Sequence, residues 1–321
     1  MNNRILGRTG LKVSELGFGA WGIGKVQWLG GEDQKSLNAL KLARDLGVNF
    51  YDTALAYGNG HSEQLLAQAF GNSPEVVIAS KIPPKNRIWP ANPKTPLSEV
   101  FPKHYVLASL EESLRNLGRD AIDVYQFHVW TDAWADNDEW LETLREIRES
   151  GKVRWVGISV TEHDAADVLK ALNTGLIDVV QVIYNIFDQS PEDELLPYCS
   201  KNDIGVIARV PFDEGGLTGK VRPETEFEAT DFRARYFRDG RKQEVWERVQ
   251  AIARDLDIEL DRLAEIALRF CLSDQSVSTV IPGMRSPSNV KSNAAASEAG
   301  PLPKEILEKL RAHRWERNFY L

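Results

Sequence analysis

Short apolar runs alternate with longer amphipathic stretches along the chain. Each apolar run is rich in Val, Ile and aromatic residues and has the length of a buried strand. The runs occupy residues 16–21, 49–53, 76–81, 122–128, 153–160, 179–185, 205–211 and 279–283. The amphipathic stretches predict helices over residues 33–46, 62–70, 105–117, 138–149, 162–173, 192–201, 242–256 and 260–271. Gly47, Gly118 and Gly151 stand where helices should end.

Strands that alternate with helices predict a parallel sheet, and continuously apolar strands predict burial on both faces. A doubly wound open sheet and a closed barrel both satisfy this pattern. The glycines at positions 17, 19 and 22 lack the spacing and the following helix of a dinucleotide-binding fingerprint. The number and regularity of the runs favour an α/β fold of the (β/α)8 TIM barrel type. Residues 1–321 would form one domain, with a short N-terminal hairpin over residues 3–13 and long loops after strands 3, 4 and 7.

Composition adds limits to this picture. A chain of 321 residues with 42% apolar and 27% charged residues is long enough for such a barrel and typical of a globular protein. The net charge of −8 argues against nucleic acid as a partner. No secretory signal and no apolar run of membrane-spanning length is visible. Cys199 and Cys271 are too few for a disulfide scaffold, and no residues have metal-ligand spacing. We therefore expect a cytoplasmic protein with neither metal nor membrane contact.

The loops predicted after several strands are rich in aromatic residues. A barrel places its functional site at the C-terminal ends of its strands and in the loops that follow them. Trp28, Trp89 and Trp130 follow strands one, three and four, and Phe212 and Phe232 follow strand seven. Such side chains either fill small cores within long loops or line a pocket. Together they predict an aromatic substrate pocket with walls formed by Trp28, Trp89 and Trp130.

Four ionisable residues stand at or next to neighbouring strand ends. Asp52 closes strand two, Tyr57 follows in the next loop, Lys81 ends strand three and His128 ends strand four. Because neighbouring strand ends converge in a barrel, these side chains would share one cleft.

An acid, a phenol, an amine and an imidazole in one cleft have a definite chemical use. A phenol ordinarily holds its proton too tightly to be an efficient donor near neutral pH, and a nearby ammonium group lowers its pKa. A carboxylate paired with the ammonium keeps it charged and in place, and an imidazole N–H can orient and polarise a carbonyl group. A proton donor beside a polarised carbonyl is what hydride reduction requires.

Further segments occur in a specific order along the chain. They are LGFGAWG (16–22), NFYDTALAYG (49–58) with HSE (61–63), SK (80–81), DVYQFH (123–128), VGIS (156–159), VQVIYN (180–185), GLTGK (216–220) and VIPG (280–283). With these segments the chain resembles the aldo-keto reductase superfamily nearly from end to end, and the catalytic tetrad of that family falls on Asp52, Tyr57, Lys81 and His128. The resemblance implies a (β/α)8 barrel, NAD(P)H, and reduction of an aldehyde or ketone or the reverse alcohol oxidation, with Tyr57 as proton donor.

The resemblance also implies a set of cofactor-binding residues. Ser159 and Gln181 match residues that hold the nicotinamide carboxamide, Lys220 matches a pyrophosphate contact, and Arg209 replaces the aromatic residue that usually flanks the nicotinamide. The full set is Ala20, Trp21, Asp52, Ser159, Gln181, Arg209, Pro211, Phe212, Gly216, Lys220, Gly283, Arg285, Asn289, Ser292 and Asn293.

The adenine end of this set decides the expected cofactor. Ser286 and the two residues after it predict a helix start, and helix N-termini bind anions. Arg285 would add a cation for a 2′-phosphate, whereas Asn289 stands where the family most often has arginine or glutamine. We expect NADPH or NADP on the basis of Arg285, with NADH or NAD as the alternative.

Two other functions fit parts of the pattern. A regulatory or redox-sensing subunit would bind the nicotinamide cofactor with little turnover, and the intact tetrad counts against it. A phosphate-handling barrel isomerase would need a Gly-rich phosphate loop after strands seven and eight, which the sequence lacks. For a reductase, the aromatic loops suit a small carbonyl or alcohol substrate such as a sugar or an aryl compound. The sequence favours no particular oligomeric state.

Overall fold

The strands form a closed ring. The computed structural model describes residues 1–25, 28, 31–161, 164–315, 317, 319 and 320. Among these residues, eight strands pair in parallel, each with its neighbour along the chain. Parallel bridges from Leu16 to Val280 and from Gly19 to Gly283 also join the first of these strands to the last. The sheet is therefore the predicted (β/α)8 barrel and not an open doubly wound sheet.

The observed strands coincide with the predicted apolar runs, with small differences at their ends. Two further strands pair antiparallel as the predicted N-terminal hairpin. The strands are β1 (Asn3–Ile5), β2 (Lys12–Ser14), β3 (Phe18–Gly19), β4 (Phe50–Asp52), β5 (Val77–Ile82), β6 (Ile122–Phe127), β7 (Val153–Ser159), β8 (Val179–Ile183), β9 (Gly205–Arg209) and β10 (Thr279–Val280).

Helices follow most of the barrel strands and surround the sheet. They are α1 (Asp33–Asp45), α2 (His61–Phe70), α3 (Leu97–Val100), α4 (Lys103–Leu117), α5 (Asp138–Glu149), α6 (Leu169–Asn173), α7 (Leu195–Lys201), α8 (Phe232–Tyr236), α9 (Arg241–Leu256), α10 (Leu263–Ser273), α11 (Pro287–Glu298) and α12 (Lys304–Arg311). The helical pattern did not predict α3, α8 and α12. No helix in the described ranges has the length and hydropathy needed to cross a membrane.

The helix predicted over residues 162–173 is shorter in the structure. Residues 162 and 163 lie outside the described residues, and turns occupy residues 165–168 before α6 begins at Leu169. The carboxylate of Asp132 accepts hydrogen bonds from the backbone amides of Lys170 (2.7 Å) and Ala171 (3.2 Å). These are N–H groups of the first helical turn, which need an external partner. Because Asp132 lies in another loop, the local pattern could not locate this helix start.

Three other predicted helix starts are displaced by a few residues. The helix predicted from residue 192 begins at Leu195, after a 3-10 turn over Ser190–Glu192. The helix predicted from residue 260 likewise begins with a 3-10 turn, Leu260–Arg262. In contrast, α4 begins at Lys103, two residues before the predicted start. Pro102 is the N-cap residue directly before it, and a proline there prevents the helix from extending further towards the N-terminus.

The hairpin covers the N-terminal end of the barrel. Leu6 and Val13 are fully buried and pack in one cluster with the barrel side chains Phe50, Val124 and Ile207. Gly7 has a positive φ of 46°, and a Cβ there would lie 2.3 Å from the backbone nitrogen of Gly205. The close approach of the two backbones therefore requires glycine at this position. With this end covered, the opposite end remains for function.

The loop after β9 begins with an unusual backbone. Val210, Asp213 and Glu214 all have positive φ values, between 50° and 58°. This region is uncommon for residues other than glycine, and most of all for a β-branched one. Hydrogen bonds hold the loop in this shape: Asn185 Nδ2 donates to the carbonyl of Val210 (3.0 Å), and Tyr236 Oη donates to Asp213 Oδ1 (2.7 Å). The loop is thus fixed by residues from other parts of the chain.

Candidate active site

The four ionisable residues that the sequence places at strand ends lie together at the C-terminal end of the barrel. Lys81 Nζ, on β5, donates to Asp52 Oδ1 at the end of β4 (2.5 Å) and to the carbonyl oxygen of Thr53 (2.8 Å). Its third contact is with Tyr57 Oη at 3.4 Å. The rings of Tyr57 and His128 are nearly perpendicular, with centroids 5.6 Å apart. The ammonium group therefore sits between the carboxylate and the phenol.

Asp52 also has amide partners on its second oxygen. Gln181 Nε2 donates to Asp52 Oδ2 at 2.6 Å, and Gln126 Nε2 lies 3.4 Å from the same atom. Lys81 and Asp52 are both buried, and a buried ion pair is tolerated only when further hydrogen bonds satisfy its remaining atoms. The two glutamines meet that requirement. The Gln181 amide nitrogen therefore supports the Asp52 carboxylate.

Gln126 is a site residue that the sequence analysis missed. It occupies β6, where every residue is buried, and its Nε2 faces the Asp52 carboxylate. A glutamine within an otherwise apolar run was the available signal, because a buried polar side chain needs a partner.

Burial controls the proton affinities of these groups. It lowers the pKa of Lys81, although the adjacent Asp52 carboxylate opposes this effect. It also lowers the pKa of His128 well below that of an ordinary histidine, and the charges of Lys81 and Arg209 lower it further. The imidazole is therefore neutral at neutral pH, and one of its ring nitrogens carries a hydrogen.

The pKa of Tyr57 moves in the opposite direction from the sequence expectation. Burial raises it well above that of an ordinary phenol, and the Asp52 carboxylate raises it further, whereas the charge of Arg209 lowers it. We expected Lys81 to lower this pKa, but its ammonium already forms a 2.5 Å ion pair with Asp52. The phenol thus keeps its proton throughout the neutral range.

Arg209 ends β9 and faces the same centre. Its guanidinium donates to the carbonyl oxygen of Val160 at 3.2 Å, and its charge influences the pKa values of Tyr57, Lys81 and His128. A positive charge therefore lies close to all three of these groups.

Other expected nicotinamide-end residues surround this centre. Ala20 and Ser159 are buried, and Trp21 stacks near Tyr57, with ring centroids 6.3 Å apart. The loop after β9 contains Pro211, Phe212, Gly216 and Lys220, of which Lys220 is exposed and the others are buried or half-buried.

The expected adenine-end residues lie at the start of α11. The helix begins at Pro287, and Ser286 Oγ accepts a hydrogen bond from the amide of Asn289, as the sequence predicted for a helix start. Asn289, Ser292 and Gly283 are exposed, and Arg285 is half-buried. Asn293 is buried, and its Nδ2 has no hydrogen-bond partner among the described residues. A buried donor with no partner in the described part of the chain is available to a polar ligand.

The three expected pocket tryptophans lie in different environments. Trp89 is 38% exposed, and its ring lies 5.9 Å from that of His128, at the edge of the cleft. Trp28 contacts Trp21, and the Arg233 guanidinium lies 4.5 Å from the centroid of the Trp28 ring. Trp130 is 0% exposed and packs against Trp134 and Trp140. Trp130 therefore belongs to the small core of its own loop, and its expected place in the pocket wall was wrong.

Comparisons with known proteins agree with this fold. A sequence model described as the Aldo/keto reductase family matches residues 15–314. The aldo-keto reductase YhdN of Bacillus subtilis is 29% identical over 297 residues, which cover 88% of this chain and 85% of that protein. An NADH-specific methylglyoxal reductase of Escherichia coli is 27% identical, with 91% of this chain and 92% of that protein covered. The solved holo form of an aldo-keto reductase from Bacillus halodurans superposes with a TM-score of 0.78 at 29% identity, covering 99% of this chain and 97% of the other.

Proposed function

The chain belongs to the aldo/keto reductase family of NAD(P)-dependent oxidoreductases, and we propose that it reduces an aldehyde or ketone to an alcohol, or catalyses the reverse oxidation, with Tyr57 as the proton donor. The observation that carries this proposal is the Lys81 ammonium, which bridges the Asp52 carboxylate (2.5 Å) and the Tyr57 hydroxyl (3.4 Å) beside a neutral His128. The phenol keeps its proton at neutral pH, and the Lys81 ammonium, 3.4 Å from its oxygen, would stabilise the phenolate that forms when the proton leaves.

Each residue of the site would have a separate role in the reaction. When bound, a nicotinamide cofactor would supply the hydride that the carbonyl carbon accepts. His128 donates a hydrogen bond to the carbonyl oxygen and so orients and polarises it. Tyr57 transfers its proton to that oxygen, and Lys81, 3.4 Å away, stabilises the negative charge left on the phenol oxygen. Asp52, held by Gln181, keeps Lys81 in position.

We further propose that NADPH is the preferred cofactor. The support is Arg285, a half-buried guanidinium next to the start of α11. A guanidinium there would pair with a 2′-phosphate, a group that NADH lacks.

The substrate would be a small carbonyl or alcohol compound, such as a sugar or an aryl aldehyde. Trp89 supports this choice because it offers a partly exposed ring 5.9 Å from His128, against which a flat or ring-shaped substrate could stack.

We propose that the protein is cytoplasmic. Cys199 and Cys271 are both buried and unpaired, as expected in a reducing compartment.

A turnover assay with a matched variant tests this function. The protein is mixed with NADPH or NADH and a panel of sugar and aryl aldehydes and ketones, while the absorbance of the reduced nicotinamide is followed. We expect substrate-dependent loss of absorbance in the wild type and none with Tyr57→Phe. The cofactor dissociation constant of Tyr57→Phe should stay within about threefold of wild type, because the phenol acts on the carbonyl oxygen and not on the dinucleotide.

Two outcomes would contradict the proposal. Quenching of protein fluorescence by cofactor without turnover of any carbonyl would favour a cofactor-binding regulatory subunit. Equal turnover by wild type and Tyr57→Phe would remove Tyr57 from the role of proton donor.

A further inference from the structure

A segment near the end of the chain lies against the loop that follows β9. We call it the docked segment; its described residues are 313–315, 317, 319 and 320. The Arg317 guanidinium forms an ion pair with Asp213, and the two side chains are only 9% and 1% exposed. Removing one partner of such a buried pair leaves an uncompensated charge, so this contact anchors the segment firmly.

A second contact holds the next residue of the same loop. Tyr320 Oη donates a hydrogen bond to Glu214 Oε1 at 2.8 Å, and Glu214 is 7% exposed. Asp213 and Glu214, consecutive in the chain and both in the left-handed backbone region, are thus each held by a different residue of the docked segment. Two anchors on adjacent residues fix the local orientation of the loop as well as its position.

Aromatic rings join the same contact. Tyr236 donates its hydroxyl to Asp213, and its ring lies 5.4 Å from Phe319 and 5.0 Å from Tyr320. The Arg317 guanidinium lies 4.7 Å from the centroid of the Phe319 ring. The docked segment therefore contacts both ends of the long loop after β9, at Asp213 and again at Tyr236 in α8.

The held loop contains the residues expected to bind the cofactor. Arg209 and Pro211 precede Asp213 directly, and Gly216 and Lys220 follow it within a few positions. A Cβ at Gly216 would lie 2.7 Å from Asp213 Oδ2, so the Asp213 carboxylate packs directly on the loop backbone. A displacement of Asp213 would therefore move the cofactor-binding part of the loop.

Open space lies next to the docked segment. A cavity of about 260 Å³ is lined by Thr161, Asp164 and Phe187 together with Trp315 and Arg317. The docked segment therefore borders open space at Trp315 and Arg317 and is not enclosed by the barrel core on that side.

We propose that the docked segment is a latch on the cofactor-binding loop, closed by the pairs Arg317–Asp213 and Tyr320–Glu214. While both pairs hold, the loop stays over the bound dinucleotide, and opening of the latch precedes cofactor release. Asp213 and Glu214 are then positioning residues that act through the loop. This inference rests on one part of the proposed function, namely that the loop after β9 binds a nicotinamide cofactor.

The rate of cofactor release tests the latch. NADPH is bound to wild type, Arg317→Ala and Tyr320→Phe, and its dissociation is followed by stopped-flow fluorescence after mixing with excess oxidised cofactor. Loss of the buried ion pair should accelerate dissociation by at least about tenfold. Loss of the hydroxyl, which removes one hydrogen bond, should accelerate it about three- to tenfold. Arg317→Lys, which keeps the charge, should restore part of the wild-type rate.

Arg314→Ala is the matched control. Arg314 belongs to the same segment, but it forms an ion pair with Asp193, which lies away from the loop after β9. We expect its dissociation rate to stay within about twofold of wild type, since an exposed pair contributes little. The latch is overturned if Arg314→Ala accelerates cofactor release as much as Arg317→Ala does. It is also overturned if neither Arg317→Ala nor Tyr320→Phe changes release while both lower the melting temperature, because the segment would then have only a structural role.

A second measurement is independent of catalysis and of the cofactor. Hydrogen–deuterium exchange of residues 211–220 in the ligand-free proteins should be faster in Arg317→Ala and Tyr320→Phe than in wild type and Arg314→Ala. If the wild type binds neither NADPH nor NADH, the proposed function fails, and the exchange result still decides whether the segment holds the loop. Unchanged exchange in both variants overturns the latch by itself.

Discussion

At the scale of single residues, the site is a balance of buried charges. Asp52 and Lys81 form a buried ion pair, Arg209 adds a second positive charge, and His128 is neutral because burial and the two cations disfavour its charged form. Isolated charges of this kind are unstable away from water, so each depends on its neighbours. Changing any one of them should therefore alter both the chemistry and the stability of the site.

Replacing Lys81 with Met should slow turnover at neutral pH by roughly 100-fold or more, since the negative charge on the Tyr57 oxygen would lose its nearest cation. The change also leaves Asp52 buried without its partner and should lower stability by about 3–5 kcal/mol. Kinetic assays together with urea denaturation separate the two effects. In the double variant Lys81→Met with Asp52→Asn, stability should recover in part while the rate stays low. A near-normal rate for Lys81→Met would remove Lys81 from the proton-transfer scheme.

Replacing Arg209 with Tyr should raise the affinity for the oxidised cofactor relative to the reduced one, by about tenfold. The positively charged nicotinamide is repelled by the guanidinium, whereas the neutral reduced form is not. Glu214 offsets this repulsion only in part, because burial raises its pKa to about 7 and so leaves it partly protonated at neutral pH. Titration of both cofactor forms against both proteins gives the ratio. If the ratio stays constant and the melting temperature falls, Arg209 serves the loop and not the cofactor.

At the scale of elements, the ends of helices and strands determine what can bind. Ser286 caps the first turn of α11 by accepting a hydrogen bond from the Asn289 amide, and Arg285 lies directly before this cap. The Arg285 guanidinium lies 5.7 Å from the centroid of the Trp28 ring. Burial lowers the pKa of Arg285, and the nearby positive charge of Arg233 lowers it further. The Arg285 guanidinium at this helix start favours an anionic ligand, whereas Arg233, in α8, is already paired with Asp231.

Replacing Arg285 with Ala should weaken NADPH binding by roughly ten- to a hundredfold and leave NADH binding nearly unchanged, because only the 2′-phosphate would lose its charge-assisted partner. Lys291→Ala, an exposed site on the same helix, is the control for a general change of charge. Dissociation constants from fluorescence titration provide the comparison. Equal losses for the two cofactors would instead place Arg285 on the pyrophosphate or the adenine.

At the scale of the whole molecule, segments distant in sequence cover the two ends of the barrel differently. The hairpin β1–β2 buries Leu6 and Val13 against the N-terminal end. At the other end, the docked segment holds Asp213 and Glu214 beside the cleft. One end is thus closed by apolar packing, and the other is held by a buried ion pair and a hydrogen bond.

Glu214 makes the stability of the whole protein depend on pH. Its pKa is about 7 in the folded protein, above its usual value of 4.5, chiefly because of burial. The folded protein therefore holds this proton more tightly than the unfolded chain does, and the stabilisation is complete below about pH 4.5 and lost as the pH rises through 7. Glu214→Gln, which keeps an acceptor for Tyr320, should be more stable than wild type at pH 8 by on the order of 2–3 kcal/mol.

Urea denaturation of both proteins across this pH range measures the difference. It should be small at pH 4.5, grow towards pH 7 and then level off. A difference that does not change with pH would mean that Glu214 has no raised pKa in the folded protein.

Much of the architecture was determined by the sequence alone. The strands could be predicted because barrel strands are buried on both faces, so β6 and β8 are apolar nearly throughout regardless of their partners. Asp52, Lys81 and His128 could be placed together because strand ends in a barrel always meet at one end. These features depend on local sequence and on a general rule of the fold.

Only the tertiary structure decided the features that depend on contacts between distant segments. Trp130 is buried because Trp134 and Trp140 enclose it, and α6 starts at Leu169 because Asp132 caps it from another loop. The pKa of Tyr57 is raised because the folded protein removes water from the phenol while Asp52 holds the Lys81 charge. Neither the enclosing atoms nor the excluded water is a property of a short stretch of sequence, because both arise only when separate parts of the chain pack together.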